Sequence, residues 1–468
     1  MASEAEVQEQ RQSAALLPLL FLCMGSAMAA LVIAIGTQMA LYADGPFYLL
    51  WTLHHRYPMD FDYSRQFAQT LTQYPVSYLA RHFAPSISQM RLLFEIFQYL
   101  PYAVSFLICA FALRQHHHLL IFPLLSFAAA GLNASLFIVS ESHVLAALFW
   151  PLACFLTVDE KPGKIGWLLL LACAVPILRC YESMVFLGGW LALLAGHRAL
   201  VNRRHPIAIA YLALTLWFLA GMAIAAYWII YPREPENLGS ISQALSLAFA
   251  DGAHLHIMAI ATWLAIVLLV GGACPAIFWR HLNKYWLGPA ILVPVAALWF
   301  IVHLDEFMPT AHYQARILNL IAPLLLAPIM WAGYRLNAHI PVRIWVNAAR
   351  ATLGIVIGQL FATAAVAQSW TSYLTEFNAE IGGFQGICAL EVLGLSQGPF
   401  ARWNWSWTMP TMSAVLSEGP IRAVVANPAG SKVWVPFDPM DARSLPDLSR
   451  YGLRWDLREG KCLTRQKD

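Results

Sequence analysis

The residues in this chain that could do chemistry are carboxylates gathered around a few arginines. Asp44, Asp60, Asp62, Glu141, Glu182, Glu234, Glu236, Asp305 and Glu306 all fall in loops or at the ends of apolar runs. Asp44 stands in YADGPFYLLW, directly after the first apolar run, where Gly45 and Pro46 force a turn and the aromatics suit a membrane interface. A carboxylate held at such a rim, half out of water, is placed to act as a general base. An ordinary helix-ending Asp before a Gly-Pro turn is the plainer alternative. Asp60 and Asp62 form a D-F-D pair; two apart in an extended segment, they point to one side and have the spacing to share a divalent cation. A solvated pair beside a turn is the competing reading, so a metal stays unassigned.

Two further groups bring cations to the acids. Arg179 and Glu182 lie in ILRCYESMVF, between two apolar runs, three residues apart. On one helical face they would pair and seal the junction; alternatively Arg179 holds an anionic group and Glu182 orients it or an acceptor hydroxyl. Asp305, Glu306, His312 and Arg316 gather in HLDEFMPTAHYQAR. His312 and Arg316, four apart, share a face if a helix has started there. Arg316 beside lipid suits a phosphate or pyrophosphate leaving group, whose developing charge needs a fixed cation. Snorkelling at a helix end explains the same arginine more blandly.

The elements that must position these groups are transmembrane. Hydrophobic residues make up 59% of the 468 and charged ones only 12%, where soluble domains run near a quarter charged. The net charge of +3, with Lys and Arg scattered over loops, offers no nucleic-acid surface. Spans of about twenty apolar residues are expected near 14–42, 93–113, 118–139, 143–157, 165–179, 183–197, 206–231, 254–279, 286–303, 315–335 and 345–369. The first is too long for a signal-peptide core and reads as an uncleaved helix.

One set of alternate loops carries Arg114, Lys161, Lys164, Arg198, Arg203, Arg204, Arg280, Lys284, Arg335 and Arg343. The positive-inside rule puts this set in the cytoplasm, with the N-terminus inside and the C-terminus outside. The expectation is an all-α polytopic membrane protein of about eleven transmembrane helices with a small α+β extracytoplasmic C-terminal domain. The transmembrane domain spans 1–369, including a long first outer loop at 43–92; the small domain spans 370–468, with strands expected at Ile421–Val425 and Lys432–Phe437. In the long loop, Tyr63–His82 reads as an amphipathic helix lying in the interface plane. Of the eight cysteines, Cys388 and Cys462 are the one candidate disulfide, against two unpaired thiols.

This layout resembles the multi-span GT-C glycosyltransferases, which use polyprenyl-phosphate-linked sugar donors. Asp44, just past the first span, matches the place of that superfamily's usual catalytic carboxylate. RCYESMVFLGGWLALLAG (Arg179–Gly196) is similar to the R-x-E-like start of a later span, and Arg316 in YQARILNLIAPLLLAP to the donor-phosphate position. The resemblance implies sugar transfer from a lipid carrier to an acceptor, a glycan, lipid or protein, at the outer face; the short loops and the uncleaved first helix point to a bacterial inner membrane. Asp44 would deprotonate the acceptor hydroxyl, and Arg316 or Arg179 would stabilise the departing lipid phosphate. A transporter or flippase, a membrane-bound acyltransferase, and a non-catalytic assembly subunit for envelope glycans are the rival readings.

Overall fold

A computed structural model describes residues 4–59, 63–83, 85–131, 140–159, 161–231, 311–336 and 340–382. In the C-terminal region it describes 388–389, 403, 409–421, 424–425 and 447–455. The expected spans at 254–279 and 286–303, and the candidate strand Lys432–Phe437, lie outside the described residues, as does Cys462.

The chain is mostly helical. Its described helices are α1 (Glu4–Gly36), α2 (Gly45–His55), α3 (Gln66–His82), α4 (Ile87–Ala112), α5 (Ile121–Gly131), α6 (Glu141–Thr157), α7 (Lys164–Ile177), α8 (Met184–Val201), α9 (Ile207–Ile230), α10 (Ala311–Arg335), α11 (Val342–Gly382) and α12 (Met409–Leu416). Among the described residues five segments are long and apolar enough to cross a membrane: Ala15–Gly36, α4, α8, α9 and α11. Leu168, Leu193, Ile209 and Leu216 stand exposed on α7, α8 and α9, an apolar outer surface that suits lipid and not water.

Pairwise packing follows the residues at each contact. Gly188 lets α8 lie close on α9: a Cβ there would sit 2.8 Å from Met222 Cγ and 3.2 Å from the Phe218 carbonyl oxygen. Small residues at such crossings are how membrane helices approach one another. On the other side α1 packs along α11. α4 begins with a capping box, in which Ser86 Oγ accepts from Gln89 N–H and Gln89 Oε1 accepts from Ser86 N–H.

Loops that share a charge type meet at the same end of the bundle. At the basic end Asp159, just after α6, binds Arg198 at 2.8 Å and Arg335 at 2.7 Å. The Asp159 N–H donates to the hydroxyl oxygen of Tyr334, whose ring packs on His116. Arg198 is only 1% exposed, so its charge depends on this carboxylate. Asp159→Ala is expected to lower stability by about 2 kcal/mol, read from the thermal midpoint in detergent. Removing the exposed Arg203 would leave that midpoint unchanged.

α3 is inside-out relative to a helix of a soluble protein. Gln69, Thr72, Gln73 and Ser77 are buried, whereas Leu71, Tyr74 and Tyr78 are exposed. Gln73 Oε1 accepts from the Met59 N–H at 2.7 Å, and the aromatic ridge is left on the exposed side.

The long helix α11 departs from the expected boundary at 369. Trp370, Tyr373, Phe377 and Ile381 continue a buried apolar ridge at helical spacing, so the helix runs on to Gly382. Its 41 residues measure about 60 Å, twice the roughly 30 Å hydrocarbon core. Beyond it the described C-terminal segments include two two-residue parallel pairs, Cys388–Ala389 with Val424–Val425 and Pro420–Ile421 with Arg454–Trp455. Trp403 is buried against Trp370 and Tyr42.

Candidate functional site

The turn that carries Asp44 is held from several sides. Two non-glycine residues in it, Gln38 and Ala43, have φ of 56°, a left-handed conformation that costs on the order of 1 kcal/mol per residue. The carboxylate of Glu95, buried in α4, accepts from the Ala40 N–H at 2.9 Å. Trp370 Nε1 donates to the Gln38 carbonyl at 3.1 Å, and Tyr42 stands edge-on to both Trp370 and Trp403. Burial, and then the charge of Asp44, push the phenol of Tyr42 up from its usual value. Asp44 itself is half-buried at the start of α2, with Pro46 in the first helical turn.

One helical turn beyond Asp44 is Tyr48, which leads into a polar cluster. Its hydroxyl donates to Glu141 Oε1 at 3.1 Å, and Gln69 Nε2 donates to the same oxygen at 3.2 Å. Arg65 bridges two carboxylates: Nε donates to Glu182 Oε1 at 2.9 Å, and Nη1 lies 3.9 Å from Glu141 Oε2. Ser64 Oγ adds a hydrogen bond to Glu182 at 2.7 Å. The Arg65 guanidinium also stacks 5.1 Å from the Tyr181 ring centroid. α2, the 63–69 segment, the first residue of α6 and the α7–α8 junction therefore converge on Glu141 and Glu182, one helical turn along α2 from Asp44.

Arg179 and Glu182 do not share a helical face. α7 stops at Ile177 and α8 starts at Met184, so the pairing expected from their spacing is replaced by two separate attachments to the first long loop. Arg179 Nε donates to the Tyr63 carbonyl at 2.8 Å, and its own carbonyl accepts from Phe67 N–H at 3.0 Å. Its guanidinium lies over the rings of Tyr63 and Phe67. Only Nε is engaged among the described residues; the two terminal nitrogens of this half-exposed arginine are uncommitted.

Burial alone would push the carboxyl of Glu182 up. The Arg65 charge, with hydrogen bonds from Ser64 and Arg65, outweighs it and holds the group below the ordinary 4.5. Because the folded value is the lower one, the stabilisation is complete above 4.5 and is lost as pH falls through the folded value. The difference in thermal midpoint between wild type and Glu182→Gln is thus expected to stay flat from pH 8 to pH 6 and to shrink only below 4.5. A difference that vanished near neutrality would contradict the clamp.

Asp60, Asp62, Asp305 and Glu306 lie outside the described residues. His312 and Arg316 fall in the first turns of α10, where the backbone is helical. Arg316 stands three residues ahead of Asn319, which donates to Ser142 Oγ at 3.3 Å, next to Glu141. Among the described residues no group of three or more His, Cys, Asp or Glu is placed to hold a metal ion. The residues that spacing did not single out are Tyr48, Arg65, Gln69 and Glu95. Glu95 had a signal, a charge inside the apolar run MRLLFEIFQYL; the partners of Glu141 had none, since they come from elements distant in sequence.

The cluster can accept hydrogen bonds from hydroxyl groups at its carboxylates and present a cation to an anion at Arg179. No family model, curated protein or solved structure matches this chain.

Proposed function

We propose that this protein is an integral-membrane glycosyltransferase that moves a sugar from a polyprenyl-phosphate donor to an acceptor hydroxyl at its acidic end. In this reading about eleven spans cross a bacterial inner membrane, with the N-terminus in the cytoplasm and the acidic end and C-terminal region outside. Asp44 takes the proton of the acceptor hydroxyl as its oxygen attacks the anomeric carbon. The bond from that carbon to the phosphate oxygen breaks, and the lipid phosphate leaves with the electron pair. Arg179, or Arg316 from α10, meets the charge that develops on it.

The observation that supports this reading is the convergence of four separate elements on a carboxylate cluster one helical turn from Asp44, where Arg179, held through Nε, keeps its two terminal nitrogens unbonded among the described residues. Purified protein in vesicles, supplied with a pool of radiolabelled polyprenyl-phosphate sugars and membrane-extract acceptors, tests it. Label leaving the lipid for an acceptor is the expected result; label that stays on the lipid throughout the pool sinks the proposal.

A transporter is the second reading, favoured by the fully buried Glu95 in α4 and Gln359 in α11, polar groups inside span-length helices. The same vesicles separate the two, because transport moves intact label across the bilayer and leaves its lipid bond unbroken.

A further inference from the structure

A cavity of about 450 Å³ opens between the ends of α1 and α11, the first turns of α4 and the residues after α12. Its lining includes Gln38, Arg91, Leu374, Asn378, Ser417 and Glu418. It shares no residue with the Arg65 cluster, and its volume is that of a small-molecule site.

The charge pair in it is lopsided. Arg91, a permanently charged group, is 8% exposed, whereas its counter-ion Glu418 is 74% exposed at 3.3 Å. Arg91 Nη2 also reaches Ser88 Oγ at 3.1 Å, and Nη1 only grazes the Leu416 carbonyl at 3.5 Å. Among the described residues Nε is buried without a hydrogen-bond partner. A single exposed carboxylate thus leaves the guanidinium fork partly unmet. The Gly419 carbonyl accepts from the Arg454 N–H at 3.0 Å, which holds the backbone there. The Glu418 side chain, already largely in water, can still leave Arg91 by rotating its own side-chain bonds at little cost.

We propose that this cavity binds a phosphate group borne on a hydroxylated body, and that Glu418 stands in for the phosphate when the site is empty. Glu418 Oε1 alone accepts from both Arg91 Nη2 at 3.3 Å and Ser88 Oγ at 3.4 Å, and a phosphate offers more acceptor oxygens to the same donors. The amides of Gln38 and Asn378 are on hand for hydroxyl groups. This site shares Gln38 with the turn that carries Asp44 but no residue of the Arg65 cluster, and it stands whether or not the transferase reading holds.

The group could be carried by a soluble sugar phosphate or by a phospholipid headgroup. The test measures binding of glucose 1-phosphate, and separately of phosphatidylglycerol against phosphatidylcholine in mixed micelles, to the full-length protein by thermal shift. Glu418→Gln, which removes the competing charge, is expected to bind about fivefold more tightly than wild type, and Arg91→Gln to lose binding. A gain with glucose 1-phosphate assigns a soluble ligand; a gain with phosphatidylglycerol alone assigns the headgroup. Should Arg91→Gln fail to fold, the Glu418→Gln comparison still decides. Binding by Glu418→Gln that is absent, unchanged or weaker with both probes overturns the site.

Discussion

Asp44→Asn is expected to slow sugar transfer by about 10²–10⁴-fold, the usual worth of a positioned general base. The fold should survive the change. It is the Asp44 backbone carbonyl that accepts the Tyr48 N–H at 3.0 Å at the start of α2, and no side-chain cap bond is made to that helix. Asn keeps that carbonyl and nearly the same shape but cannot accept a proton from an acceptor hydroxyl. The loss should fall on kcat with KM little changed, because ground-state contacts remain. Steady-state kinetics on the lipid-linked donor, beside a thermal midpoint, checks both halves. Turnover equal to wild type would remove Asp44 from the mechanism.

The second large effect is on stability. Arg65→Ala takes away the guanidinium that, among the described residues, faces both Glu141 and Glu182, of which Glu141 is 5% exposed and Glu182 20%. Stranding carboxylates in such surroundings costs on the order of 3 kcal/mol. Arg65→Lys should recover only part of that. An ammonium is a point charge on a flexible stem and replaces neither the two-sided reach nor the stacking on Tyr181. Adding Glu141→Gln to Arg65→Ala should recover part of the loss, since it removes one of the two stranded charges and leaves Glu182, whereas two independent losses would simply add. Thermal midpoints of wild type, Arg65→Ala, Glu141→Gln and the double variant measure the coupling, and no loss in Arg65→Ala would mean that water already serves these carboxylates.

Much of the helical framework is legible in the sequence because span length and loop charge are local properties. The runs expected at 143–157, 165–179 and 183–197 correspond to α6, α7 and α8 within a few residues. Among the described residues, the basic loops that follow α4, α6, α8 and α10 meet at one end, through His116, Asp159, Arg198, Tyr334 and Arg335. The site was legible only in its ends. Asp44, Arg179 and Glu182 announce themselves by sitting beside apolar runs, but their partners are decided by tertiary packing. Arg65 finds Glu182 across 117 positions, and Tyr48 finds Glu141 across 93. The i, i+3 reading of Arg179 and Glu182 failed because the chain leaves the helix between them. The end of α11 was misplaced for a related reason: the run was read for hydropathy, and the aromatic ridge from Trp370 to Ile381 is amphipathic.

The pairing of α1 with α11 bears on how the molecule is made. Cys23 in α1 lies 3.8 Å from the carbonyl of Ala349 in α11, 326 residues later in the chain. A ribosome adding about 5–20 residues per second delivers the second helix at least fifteen seconds or so after the first. Over that interval α1 must sit in lipid, or against an insertion factor, with the face that will hold α11 uncovered. Chains truncated ahead of Val342 should therefore persist as substrates for membrane quality control, even with every other span already inserted.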